Sequence, residues 1–227
     1  MRPTAPASPV NAGSILKLIF LRVLRVLRGS LLWFTAIAIL SACGTSPPER
    51  FFTLAADPPP VTAATQSAPG FSIVVGPVTV PEIVDRPQFV LRSSANRIEI
   101  AEFARWAAPL KSEIPRVVAD HLSRLLEGSR PSTSAQRATG VPDYRVLIDV
   151  QRFESAPGDS ATIHALWEVR GRTGLPLGGR SAASEPAGAG YDDLVAAHSR
   201  ALAAISRDIA AAIASLRAAP AALDPPR

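Results

Sequence analysis

Tyr144-Arg145-Val146-Leu147-Ile148-Asp149-Val150-Gln151-Arg152-Phe153-Glu154 places Val146, Ile148 and Val150 at every second position. That period belongs to a strand with one buried face, with Phe153 a further inward candidate. Pro157-Gly158-Asp159 supplies a turn. Ala161 to Arg170 then returns, with Ile163, Ala165, Trp167 and Val169 on one face. A second turn follows through Gly174, Gly178 and Gly179, and Arg180 to Glu185 reads as a weaker third strand. A sheet with one apolar face needs another layer to cover it.

The chain supplies that layer on both sides of the hairpin. Downstream, Leu194, Leu202, Ile205, Ile209, Ile213 and Leu216 form one stripe along a helix over Asp192–Arg217, with alanines between them. Upstream, Leu110, Ile114, Val117, His121, Leu122 and Leu125 recur at steps of three and four. Ser112 is the expected cap of this helix, Pro115 falls in its first turn and Gly128 stops it. Before it stand Phe71 to Val80, with a bulge or edge expected at Pro77, and a hairpin of Gln88–Arg92 and Arg97–Phe103 turning at Ser93-Ser94-Ala95-Asn96. Ser129 to Gly140 reads as a polar loop. The expected fold is therefore α+β, in one domain over residues 71–218. It has an antiparallel sheet with two amphipathic helices on one face, in two β-β-(β)-α units, and a disordered tail over 219–227.

The N-terminal part has a different character. The run Leu31–Leu40 follows Arg22, Arg25 and Arg28, no acidic residue precedes Cys43, and the run ends in Leu40-Ser41-Ala42-Cys43. A basic region, about ten apolar residues and small residues at a cleavage point are the parts of a signal peptide. With the cysteine directly after them, Leu40, Ser41, Ala42 and Cys43 look like the lipobox of bacterial lipoproteins. A transmembrane helix would need about 20 apolar residues. Extending the run backwards would bury Lys17 and three arginines at roughly 2.5–3.5 kcal/mol each. A secreted chain cut here without lipid would carry a lone thiol into an oxidising compartment. A buried core cysteine is ill suited to Gly44-Thr45-Ser46-Pro47-Pro48, which reads as loop. Residues 1–42 are thus read as a lipoprotein signal peptide. Residues 43–70 are read as a lipidated N-terminus and flexible linker, with a short edge strand over 51–54.

This reading changes the meaning of the charge. The chain carries 24 Lys+Arg and 19 Asp+Glu. Five of those basic groups and no acidic ones lie before Cys43, so the remainder is formally neutral. The sequence pI of 10.3 comes from the discarded segment and is no argument for nucleic-acid binding.

A search for chemistry returns little. With one cysteine in the chain there is no internal disulfide and no Cys-ligated zinc site. His121 lies on the apolar stripe and reads as a half-buried packing residue, His164 as solvent-facing, and His198 as lying on the polar side of the last helix. No serine occupies a Gly-x-Ser-x-Gly elbow, and Gly76, Gly178 and Gly179 form no phosphate-cradling loop. Glu82 and Asp85 are the nearest approach to paired carboxylates, and a turn is the ordinary home of Asp before Arg-Pro. No catalytic, cofactor or metal residue is expected; the only bound groups would be the diacylglycerol and acyl chains on Cys43.

One set of residues does suggest a family. Phe51-Phe52-Thr53-Leu54, Val75-Gly76-Pro77-Val78, Asp85-Arg86-Pro87-Gln88-Phe89-Val90, Asn96-Arg97-Ile98 and Glu102-Phe103-x-Arg105-Trp106-Ala107-x-Pro109-Leu110 occur in this order. Together they resemble the ABC-type transport auxiliary lipoproteins, the PqiC-like family, over about residues 51–215. The resemblance implies a non-enzymatic lipoprotein at the periplasmic face of the outer membrane. Its implied partners are an MCE-domain protein with its ABC permease and ATPase, in lipid transport between the two membranes. A homo-oligomer would suit such a partner. Asp85, Arg86, Pro87, Arg97, Phe103, Arg105 and Trp106 become signature positions. They can be read as a partner contact, or as a turn at Asp85-Arg86-Pro87 with Phe103 and Trp106 packing the core. Other readings of the chain are a lipoprotein that itself binds a small amphiphile, an assembly or pilot lipoprotein for another envelope complex, and a hydrolase.

Overall fold

The computed structural model describes Arg22 and residues 47–56, 70–134, 140–172 and 174–218. The chain up to Pro47 clusters as a separate unit, of which only Arg22 and Pro47 are described. The folded unit begins at Pro48. Leu40-Ser41-Ala42-Cys43, most of the expected linker and the tail from residue 219 lie outside the described residues.

Among the described residues the folded unit is α+β, with one sheet of eight strands and two long helices. The strands are β1 (Arg50–Phe52), β2 (Phe71–Thr79), β3 (Gln88–Ser94), β4 (Arg97–Trp106), β5 (Ser129–Thr133), β6 (Tyr144–Ala156), β7 (Ser160–Gly171) and β8 (Leu177–Pro186). Helix α1 (Leu110–Leu125) follows β4 and α2 (Tyr191–Ala218) follows β8, so each helix closes a run of four strands. A 3-10 turn over Glu82–Val84 joins β2 to β3.

The long hairpin read from the sequence is the spine. β6 and β7 pair antiparallel from Tyr144↔Gly171 to Ala156↔Ser160, and β8 continues along β7. The other edge of β6 is shared: β2 runs parallel to its first part, from Ile73↔Tyr144 to Thr79↔Asp149, and β3 meets it through the single pair Leu91↔Ser155. β5 lies outside β2, while β4 and then β1 lie outside β3.

The sheet is therefore mixed rather than antiparallel throughout. Parallel strands require a crossover; here the β3–β4 hairpin and α1 supply it between β2 and β6. Sequence neighbours pair directly only in β3–β4, β6–β7 and β7–β8. The stretch read as a loop contains β5, whose polar Ser129-Arg130-Pro131-Ser132-Thr133 carries no alternation signal and whose proline suits an edge position.

Both helices lie on one face of the sheet and pack on each other. Ile73, Val75, Val146, Ile148, Val150, Ile163, Ala165 and Val169 meet Ile114, Val117, Val118, Leu122, Leu202, Ile205, Ile209 and Ile213 in one core. Burial of each large side chain there is worth roughly 1.5–3 kcal/mol. Helix α1 starts one turn earlier than expected. Pro109 is its N-cap, without a side-chain cap, and its carbonyl accepts from the N–H groups of Ser112 and Glu113 at 2.8 and 3.0 Å. Ser112 is consequently inside the helix, and Pro115 is in the second turn. No described helix is long and apolar enough to cross a membrane.

The β2 bulge expected at Pro77 falls between Val75 and Val78. Gly76 has φ +114°, and a Cβ built there would lie 2.5 Å from Ser134 Oγ. That position admits only glycine.

Candidate functional site

Apart from Arg97, at the far end of β4, the signature residues gather where β1, β3 and β4 join the first turn of α1, and the structure divides them between core and surface. Trp106 is core. Its ring stacks on Phe89 with centroids 4.1 Å apart, and Phe52, Tyr191 and Phe153 complete the cluster edge-on or tilted. Backbone bonds fix the register here: Trp106 N–H donates to the Pro87 carbonyl and Ala107 N–H to the Phe52 carbonyl, both at 2.7 Å. Pro87 thus holds the entry to β3, and Asp85 is tied to α1 by Lys111 at 2.6 Å. Arg86 is half-buried, and its Nε has no hydrogen-bond partner among the described residues.

The remaining signature residues face outward. Alternation along β4 sends Ala104 and Trp106 inward and leaves Phe103 and Arg105 on the opposite side, with Phe103 37% exposed. Of the two readings left open for these positions, Trp106 takes the core one and Phe103 does not. Arg105 pairs with Glu49 at 2.7 Å. Arg97 is exposed at the start of β4, by the hairpin turn.

Helix α1 grips the incoming N-terminal segment. Glu113 is buried, and its Oε2 accepts from Thr53 Oγ1 at 2.6 Å, from Leu54 N–H at 3.2 Å and from Arg116 at 3.0 Å. Arg116 also donates to the Leu54 carbonyl at 2.6 Å, and Ala55 N–H donates to Ser199 Oγ on α2 at 3.2 Å. Burial would raise the Glu113 carboxyl, but the hydrogen bonds from Arg116 and Thr53 outweigh it and hold the pKa below the ordinary 4.5. Leu54 is wholly buried, so the segment is part of the packed fold.

A small open cleft of about 110 Å³ lies on the far side of the β3–β4 hairpin, where β6 passes from β2 to β3. Ile83, Val84, Val90 and Ile98 form its apolar walls, beside Arg92, Arg152 and Glu154. Burial raises Glu154, yet hydrogen bonds from Arg152 at 2.5 Å and from Arg92 hold its carboxyl below the usual range. Ile83 and Ile98 remain 46% and 42% exposed.

The three histidines are all withdrawn from the surface to some degree. His121 is buried, deeper than the half-buried position expected, its Nδ1 3.1 Å from Ser206 Oγ. His164 is half-buried rather than open to solvent. His198 overturns its expectation entirely. It is fully buried, stacked on Phe153 at 4.0 Å, and shares a 2.8 Å hydrogen bond with Ser155. The signal was present in the spacing, since 194, 198, 202, 205 and 209 make one helical stripe. Among the described residues no three His, Cys, Asp or Glu side chains could hold a metal together.

Residues 52–210 match the family described as ABC-type transport auxiliary lipoprotein component. The chain belongs to this family. Among solved structures, the auxiliary lipoprotein superposes on a crystal structure of an uncharacterized protein with TM-score 0.60 at 19% identity, covering 74% of this chain and 99% of that one. Protein XCC0632 from Xanthomonas campestris gives 0.56 at 18% identity, with the same two coverages. At such identities the likeness speaks for the fold alone. No curated protein matches the sequence.

Proposed function

We propose that this auxiliary lipoprotein is a non-enzymatic subunit of an MCE-type lipid-transport system, working with its ABC permease and ATPase. It is anchored at the periplasmic face of the outer membrane by acyl chains on Cys43. The observation that carries the reading is the family match across residues 52–210, downstream of Leu40-Ser41-Ala42-Cys43. Position 44 is Gly, without the Asp that holds many enteric lipoproteins at the inner membrane. His121 and His198 are bonded to serines inside the core, which favours a docking part over an enzyme.

The cleft beside the β3–β4 hairpin is the proposed partner contact. Two half-exposed isoleucines next to arginines suit a protein surface. At about 110 Å³ the cleft is well below the roughly 300–1,000 Å³ of ligand pockets, which favours docking over carriage of an amphiphile. Affinity capture of the MCE-domain protein tests the proposal, with Ile83→Asp/Ile98→Asp expected to weaken capture at unchanged thermal stability. Failure of the wild-type protein to capture any MCE-domain protein would sink it.

A further inference from the structure

Between the lipid and the fold there is much less free chain than composition suggests. A linker over residues 43–70 would allow a reach of about 95 Å fully extended. The structure docks Arg50 to Ala56 on the domain through β1, the Glu113 grip and buried Leu54. From Cys43 to Phe51 there remain eight residue steps, at most about 29 Å. The first docked strand is also the outermost strand of its part of the sheet.

That edge carries two exposed aromatic rings on its outward side, beside the Arg105–Glu49 pair. Phe51 is 61% exposed and lies opposite Arg105 in the parallel β1–β4 register. Phe103, two residues earlier on β4, shares that face and is also exposed. The two residues thus stand on neighbouring strands of one face. Charge on this face is nearly balanced, because Glu49 neutralises Arg105. Attraction to headgroups is accordingly weak, and the two phenylalanines supply the contact.

We infer that the outward face of β1 and β4, with Phe51 and Phe103 as contact residues, rests on the lipid surface in which Cys43 is anchored. The occupant is a bilayer, because the acylated end of the chain is eight residue steps away and aromatic rings partition into the interfacial zone. The inference rests on the anchoring proposed above.

The test uses full-length lipidated protein in vesicles of phosphatidylethanolamine and phosphatidylglycerol. Flotation of wild type, but not of Cys43→Ser, is expected; wild type that stays at the bottom of the gradient overturns the anchor and this inference with it. With Cys43 acylated, Phe51→Cys, Phe103→Cys and Leu175→Cys each offer one free thiol for an environment-sensitive fluorophore. Leu175 is a control, 87% exposed and beyond the Gly171 end of β7. Spin-labelled lipid should quench positions 51 and 103 at least about twofold more than 175, since interfacial groups sit about 5–10 Å into the headgroup boundary. Equal quenching at all three positions in floating, normally folded protein overturns the inference and leaves the anchor standing.

Discussion

Lowering the pH from 7 to 5 should cost the fold about 2 kcal/mol through one side chain, His198. The ring is fully buried, and burial pushes its pKa from 6.5 down to about 3. Phe153, Trp106 and the Ser155 hydroxyl surround it, with no charged partner among the described residues to offset desolvation. In the unfolded chain the imidazole titrates near 6.5. Between the two values the unfolded state holds a proton that the folded state rejects, so stability rises with pH across this window and is lost on acidification. At pH 5 the chain is 1.5 pH units below the unfolded pKa, and each unit is worth about 1.4 kcal/mol. Glu113 and Glu154 act in the same direction but lower down. Their depressed pKa values contribute stability that is present above about 4.5 and lost only as pH falls below it. The pH 7 to 5 interval thus isolates the histidine from those two carboxylates. His198→Phe alone would leave Ser155 unpaired at a cost of about 1–3 kcal/mol. The double change His198→Phe/Ser155→Ala removes both partners and keeps a ring against Phe153. Urea titrations of both proteins at pH 7 and 5 give the comparison. Wild type should lose about 2 kcal/mol more than the double variant. Equal losses would refute the assignment.

Three further outcomes follow from the packing. Glu113→Ala strands the Leu54 N–H and leaves Arg116 held only by its bonds to the Leu54 carbonyl and Thr53; it should cost about 2–4 kcal/mol, read as a lower urea midpoint with faster proteolysis near Thr53. Gly179→Ala would place a Cβ 2.2 Å from the Trp167 ring and should destabilise by about 1–3 kcal/mol, with Trp167→Leu recovering much of the loss in a double-mutant cycle. Gly76→Ala combines a positive φ with the Ser134 clash and should cost about 1–3 kcal/mol, again by urea midpoint.

Legibility followed periodicity. β6 and β7 were readable because one apolar face repeats at period two, and α2 because Leu194 to Leu216 repeats at the helical period; β8, with no such face, was only partly readable, as Arg180–Glu185 of Leu177–Pro186. The α+β class followed from their order. Parallel pairing was not readable, since nothing in Phe71–Val80 says that its neighbour is Tyr144–Ala156 rather than the next strand along. β5 was lost for a related reason, as five polar residues beside a covered strand need no apolar alternation. Within the site, the sequence left Trp106 open between core and contact, since a large aromatic suits either. Phe103 was not legible as surface, because the β4 irregularity between Ile100 and Arg105 breaks the register on which inward and outward are counted. The Glu113 grip joins residues 60 positions apart, and a lone Glu on a helix carries no such signal.

The single pair Leu91↔Ser155 gives the fold a mechanical seam. Any pull on the N-terminal end enters at β1 and loads β4 and β3 first. The backbone passes it to β6 through that one pair, while Phe89, Trp106, Phe153 and His198 pass it ring to ring. Under tension the resistance at this seam is set largely by aromatic stacking rather than by a ladder of peptide hydrogen bonds. The Thr53–Glu113 clamp shunts part of the load directly into α1. A pull on the N-terminal end thus reaches the long β6–β7 hairpin only at the Phe153–Ser155 end of β6.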